Sequence, residues 1–163
     1  MLSISDLKKK YLGAPEATDE DWEIVRAVRE YVDAEIMPCR RELEGGWHRD
    51  EKIARDTFEK VYQGLVDIDV QRAIWPKEFG GLGVSDVAND MINEELARGD
   101  AGLAIHKGII AWVMLPALIA GRMDLLQQFV PKICDNNPHG ACMAITEPSG
   151  GTNAEDPTAW PSN

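Results

Sequence analysis

Positive charge is scarce in this chain of 163 residues: 17 Lys and Arg stand against 28 Asp and Glu, a formal net charge of −11. Nucleic acids and anionic membrane surfaces are held by clustered Lys and Arg that neutralise phosphates, so the balance argues against both as partners. Cysteine is scarce as well. Cys39, Cys134 and Cys142 are odd in number, far apart and without a C-x-x-C pair, which fits a reducing, cytoplasmic compartment better than a disulfide framework. Residues 1–10 have no apolar core of signal-peptide type, since Lys8-Lys9-Lys10 follow the only apolar residues there. The most apolar run, residues 108–120, is shorter than a membrane span and is flanked by His106-Lys107 and Arg122, so a buried core helix is expected and no membrane span. No Glu has a His three residues later, which removes the helical di-iron pattern; His48, His106 and His139 are scattered, and no metal site is expected. G-x-S-x-G, a P-loop and G-x-G-x-x-G are all missing.

What is present is an ordinary globular composition, 44% hydrophobic and 28% charged. A chain of this length buries a core without disulfide or metal, and one domain with part of a second is the expectation.

Residues 1–17 look like a loose leader. Thr18 followed by Asp21 resembles a capping box, and Asp19, Glu20, Asp21 and Glu23 suit the positive end of a helix. Trp22, Val25, Val28, Val32 and Ile36 form its apolar stripe, and Pro38 ends or bends it. Arg26, Arg29, Arg40 and Arg41 read as solvated ion pairs with nearby acids. After Gly45-Gly46, a second helix runs from about Asp50 to Leu65 with Ala54, Phe58, Val61, Tyr62 and Leu65 on one face. Residues 66–75 are ambiguous, with Val66, Ile68 and Val70 alternating like a strand. Ser85 caps a third helix to about Arg98, with Val87, Met91, Ile92 and Leu96 inward. Asp100 caps a fourth, apolar nearly all round, which belongs in the middle of a bundle. On it Ala104, Gly108 and Trp112 share a face at four-residue spacing, a surface that either admits a neighbouring helix or floors a pocket. Leu125, Leu126, Phe129, Val130 and Ile133 mark a fifth helix that Pro131 shortens or kinks. Glu94 and Glu95 point in different directions on their helix, so ion pairing with Arg98 or a solvated face is expected rather than paired acid–base work.

The pattern changes near the end. Residues 141–145 form a short apolar run that can be a buried strand. Thr146-Glu147-Pro148-Ser149-Gly150-Gly151-Thr152 then gives hydroxyls and glycines able to cradle a flat ring or a phosphate, or simply a strand's exit into a loop. A single strand cannot satisfy its own backbone, so its partners lie elsewhere or the chain is a piece of a longer one.

Three stretches, in order, resemble the acyl-CoA dehydrogenases. Trp75-Pro76-Lys77-Glu78-Phe79-Gly80-Gly81-Leu82-Gly83 is similar to their P-x-E-[FY]-G-G-x-G loop, Glu94-Glu95-Leu96-Ala97-Arg98 to their E-E-L-A segment, and Ile145-Thr146-Glu147-Pro148-Ser149-Gly150-Gly151-Thr152 to their T-E-P-x-x-G-S flavin segment. Phe129-Val130-Pro131-Lys132 sits where the family often carries Y-L-P. The resemblance implies a mainly α fold: a five-helix bundle of the family's N-terminal type over residues 18–138, after a leader over residues 1–17, followed by the first strand of a middle β-domain over residues 139–163.

It also implies function. Family members are FAD enzymes that remove hydrogens from the α and β carbons of an acyl-CoA: a glutamate takes the α-proton as general base, a hydride passes to the flavin, and electrons leave to an electron-transfer flavoprotein. Carried over, Met143, Ile145, Thr146, Gly151 and Thr152 would contact FAD, with Thr146 near N5 and O4 of the ring. Ala104, Gly108, Trp112 and Thr152 would line the acyl-CoA site, the small residues leaving room for a long, branched or ring-bearing acyl group. Ser149-Gly150 stands where the family usually has Gly-Ala, and Asn153 where it has Asp. Trp160 comes too early to be the family's second flavin-contacting tryptophan. The glutamate base is not found in this chain, and Glu147 belongs to the T-E-P motif instead, so no catalytic residue is expected here. The full-length protein is expected to be a homo-oligomer and the chain alone inactive. The alternative is a stand-alone, non-catalytic helical module for binding or assembly, derived from the same fold.

Overall fold

The structure, a computed structural model, describes residues 3–43 and 50–144. Helices dominate, and no strand occurs among the described residues. The first helix, α1 (Ile4–Lys10), overturns the reading of residues 1–17 as a loose leader. Ser3 and Asp6 make a full capping box, and Leu7 is wholly buried in the main core. Seven residues show too few turns for periodicity to register, which hid this helix in the sequence.

Helix α2 (Asp19–Tyr31) opens on the expected Thr18/Asp21 box. Asp21 does more than cap its own helix. Its carboxylate accepts from Thr18 N at 2.9 Å and also from Ser85 N and Oγ at 3.2 and 3.0 Å. Ser85 in turn caps the later helix α4, so one buried carboxylate ties two helix N-termini together. Past Tyr31 the helix continues as a π turn over Val32–Ile36 and a 3-10 turn over Met37–Cys39, so Pro38 falls where the regular ladder has already ended.

Helix α3 (Glu51–Asp67) is capped by Asp50 and buries Ala54, Val61, Tyr62, Leu65 and Val66. Phe58, expected inward, is half-buried. Residues 68–75 are a succession of turns, not a strand, with Asp69 in the left-handed region. Helix α4 (Asp86–Gly99) turns Ala88, Met91, Ile92 and Leu96 inward. Asp100 closes α4 and caps α5 (Ala101–Ile119), whose Leu103 N donates to the Asp100 carboxylate at 2.9 Å. Helix α6 (Met123–Ile133) follows; Pro131 lies inside it, near its end, and the helix stops two residues later.

The main core joins Trp22, Val25 and Val28 of α2, Val61 and Leu65 of α3, Ile92 and Leu96 of α4, and Leu103 of α5. α2 packs on α4, α4 on α5, and α5 on α6. A second, smaller cluster lies between α5 and α6: Met114, Leu126, Val130 and Cys134, with Trp75 and Phe79 against it.

Candidate functional site

Helix α5 was expected to sit enclosed in a bundle. Among the described residues it is covered on one face only. Leu103, Lys107, Ile110 and Met114 are buried, while Ile105, Trp112, Leu115, Leu118 and Ile119 are exposed, Trp112 at 64%. The helix begins just after Asp100, as expected, and so extends seven residues ahead of the apolar run that was read as shorter than a membrane span. By length and composition alone it could cross a membrane, a property that apolar core helices share. Its expected substrate-lining residues occupy different depths. Ala104 is half-buried against the main core. Gly108 is half-buried, and a Cβ built there would meet nothing within 4 Å among the described residues. Trp112 stands out from the helix. The three therefore form a stripe that leaves the core at Ala104, opens at Gly108 and ends on an exposed indole.

On the inner side of the same helix lies a residue that sequence reading passed over. Lys107 is 6% exposed, and its ammonium donates to the side-chain oxygens of Asn89 and Asn93 on α4, the latter at 3.0 Å. Burial pushes its pKa down to about 8, opposed only by the more distant charge of Asp90. The signal was a lone cation at core spacing between Leu103 and Ile110; it was read instead as a polar flank.

The expected FAD contacts begin where the chain leaves the helices. Residues 141–144 carry no strand. Met143 is 40% exposed and, among the described residues, belongs to neither hydrophobic cluster; it is an apolar side chain of the kind that can lie along a flat ring. Ile145, Thr146, Gly151 and Thr152 lie outside the described residues, as does the rest of the T-E-P segment. The path up to it is well anchored. Gln71, buried at 5% exposure, donates through Nε2 to Ile133 O at 2.7 Å and Asn137 O at 2.9 Å, and its Oε1 accepts from His139 N at 2.8 Å. Tyr62 OH, also buried, lies 3.2 Å from Gln71 Oε1 and 3.3 Å from His139 O. Beneath this turn the His106 ring meets Phe58 and Tyr62 edge-on, and burial lowers its pKa. His139 Nε2 pairs with Asp135 at 2.8 Å.

The two other family-like stretches hold the helices in place. In the Trp75–Gly83 loop, Gly80 takes φ 91°, and a Cβ at Gly81 would fall 1.9 Å from Trp75 O. The chain folds back so tightly that Leu82 N donates to Arg72 O and Gly83 N to Trp75 O, which presses Trp75 and Phe79 onto the α5–α6 cluster. Glu95 is wholly buried and accepts from Lys10, Tyr11, Arg29 and Arg98 at 2.7 to 3.2 Å. Arg98 was the expected partner; Arg29 belongs to this buried cluster rather than to a solvated pair. Lys10 and Tyr11 could not be foreseen, because they arrive from the helix hidden in the leader.

Elsewhere the chemistry is spare. Among the described residues no three His, Cys, Asp or Glu are grouped to hold a metal, and His48 lies outside them. Cys39, Cys134 and Cys142 are free thiols, Cys142 exposed. A groove lined by Thr18, Asp21, Ile24, Lys77, Leu82 and Ser85 lies where α2 and α4 begin and contains none of the expected site residues.

Among the described residues the molecule is a helical wall: one apolar helix bare along its outer side, a small-residue stripe on it, and an anchored exit beside it. Its kind is settled by comparison with known proteins. The family described as "Acyl-CoA dehydrogenase, N-terminal domain" matches residues 18–137, and the chain belongs to the acyl-CoA dehydrogenase family. It is 25% identical over 152 residues to a "Probable acyl-CoA dehydrogenase" of Bacillus subtilis (strain 168), covering 93% of this chain and 24% of that protein. It is 28% identical over 137 residues to the "(2S)-methylsuccinyl-CoA dehydrogenase" of Cereibacter sphaeroides, covering 82% of this chain and 23% of that one. To the mitochondrial "Short-chain specific acyl-CoA dehydrogenase" of Sus scrofa it is 24% identical, covering 83% and 31% respectively. Among solved structures, one described as "Electron transferring flavoprotein of Acidaminococcus fermentans: Towards a mechanism of flavin-based electron bifurcation" shares the fold at a TM-score of 0.66 and 22% identity, over 85% of this chain and 34% of that one. The chain thus spans between about a quarter and a third of the length of these relatives.

Proposed function

We propose that this chain supplies the N-terminal helical wall of an FAD-dependent acyl-CoA dehydrogenase that acts in the cytoplasm, and that the chain alone is inactive. The carrying observation is the outer side of α5, where, among the described residues, an exposed apolar surface surrounds an open position at Gly108. Such a surface is costly to leave in water and suits the wall of an oily slot. Ala104, Gly108 and Trp112 would line the acyl chain. Met143, Ile145, Thr146, Gly151 and Thr152 would hold the flavin, Thr146 by a hydrogen bond to the ring, and Thr152 would also reach the CoA end of the substrate. FAD, when bound, supplies the hydride acceptor. The chain's own residues contribute binding, orientation and exclusion of water; the general base is proposed to come from the part of the protein that the relatives carry and this chain does not span. An electron-transfer flavoprotein as electron acceptor and a homo-oligomeric assembly belong to the same reading.

Fatty acyl-CoAs of graded length, offered to this chain completed with the remaining domains of a relative, test the slot. Turnover of long or branched chains is expected. Turnover of the shortest alone would argue that Gly108 floors no slot. The same bare helix also favours a second reading, a non-catalytic module that covers α5 by assembly. A stable oligomer of the 163-residue chain would support that one.

A further inference from the structure

Gln71 lies in the turns after α3, outside all three family-like stretches. Its carboxamide is buried, yet every hydrogen bond it makes reaches the segment that leaves the helical layer, or the tyrosine that flanks that segment. Nε2 donates to Ile133 O and Asn137 O; Oε1 accepts from His139 N and lies within reach of Tyr62 OH. Three main-chain groups of the exit are thereby fixed by one side chain, on both sides of Asn136-Asn137-Pro138. Helix α6 ends at Ile133, so Ile133 O is a helix-end carbonyl in need of a partner, and Asn137 and His139 have no ladder to join. A donor and an acceptor on one planar group suit that task, and the Gln carboxamide offers both without charge.

We infer that Gln71 is a positioning residue: it sets the point and the direction from which the chain departs toward Thr146, and so where the proposed flavin segment begins. The significance for flavin rests on the function proposed above; the clamp itself does not. Tyr62 supports the clamp from α3, and the His106 ring lies beneath it, 3.6 Å from a Cβ built at Gly140. Residues on the far side of the core, such as Val25 and Val28, have no part in it.

Amide hydrogen exchange on the 163-residue chain, read residue by residue without flavin, tests this. Gln71→Met keeps the volume and removes every hydrogen bond; it is expected to speed exchange at His139 by about tenfold or more, the worth of a lost buried hydrogen bond, while α2 and α4 amides keep their rates. Gln71→Glu keeps the acceptor and, when ionised, has no donor. The His139 amide should then stay protected while the end of α6 loosens, a split that general loss of packing would not give. Unchanged exchange at His139 in Gln71→Met, or equal acceleration throughout all helices in both variants, overturns the assignment. Because flavin is left out, either result stands whether or not the chain belongs to a flavin site.

Discussion

Arg29 grips Glu95 with one guanidinium nitrogen, 2.8 Å from Oε2 and 3.2 Å from Oε1, and the carboxylate it holds has no exposure to water. Around this pair, α1, α2 and α4 converge on a single negative charge. Burial alone would raise the Glu95 pKa; hydrogen bonds from Lys10, Arg29, Arg98 and Tyr11 outweigh it and hold the group at about 2 against an ordinary 4.5.

The first prediction concerns acid stability. A carboxylate depressed in the fold stabilises it above its unfolded pKa, and the contribution is lost as pH falls from about 4.5 through about 2. Glu95→Gln should cost on the order of 2 kcal/mol at neutral pH, since it removes the buried charged acceptor that Lys10, Tyr11, Arg29 and Arg98 share while leaving Lys10 with Glu94 and both arginines with Asp33, and should flatten the acid limb of a urea-stability profile. An unchanged limb would show that Glu95 carries no linkage.

Lys107 gives a slope of the same sign in a different pH window, because here the fold disfavours the charged form. Its pKa is lowered in the fold, so the unfolded chain binds more protons between about pH 8 and 10.5, and stability rises across that window as the penalty for burying the charge disappears. Lys107→Met should therefore be neutral or stabilising at pH 7, by up to about 2 kcal/mol, even though it frees Asn89 and Asn93. The advantage over the parent chain should shrink above pH 8. Paired denaturation curves at pH 7 and 9.5 would read the difference; a variant strongly destabilised at both would contradict it.

The glycine loop predicts intolerance at one position. Gly81→Ala drives a methyl group into Trp75 O and has no side chain to push aside, so a loss of at least about 2 kcal/mol is expected in chemical denaturation. A near-neutral Gly81→Ala would show that the loop need not fold so tightly.

Gly108 predicts tolerance instead. With open space above it in mid-helix, Gly108→Ala should gain about 0.5–1 kcal/mol of stability from helix propensity. Gly108→Leu should leave the chain folded yet shorten the acyl groups accepted once the missing domains are supplied. Long-chain turnover unaffected by the leucine would remove Gly108 from the slot.

Much of the fold is legible in the residues. The caps at Thr18, Ser85 and Asp100 mark three helix starts because a side-chain oxygen at the N-cap is a local device that needs no tertiary context. Helix α1 carries the same local device in Ser3 and Asp6, but its seven residues are too few for an apolar period to show, and what fixes it is distant: Leu7 in the core, and Lys10 and Tyr11 on Glu95, more than eighty residues away in the chain. The stretch at residues 66–75 mimics a strand because Val66, Ile68 and Val70 alternate with polar residues, but Val66 is buried as the last turn of α3 and Val70 lies after a left-handed bend at Asp69. For the site, the stripe on α5 could be drawn from spacing. Its openness at Gly108 and the burial of Lys107 could not, because both depend on which side α4 covers. Gln71 carried no motif; only its reach to the exit shows its role.

The most direct measurement is flavin absorbance of two purified proteins side by side: the 163-residue chain, and a chimaera in which it replaces the matching part of the Bacillus subtilis relative. The account predicts a colourless chain and a yellow chimaera that bleaches when acyl-CoA is added without oxygen. A stoichiometrically yellow chain by itself, or a soluble, helical chimaera that holds no flavin, would contradict it.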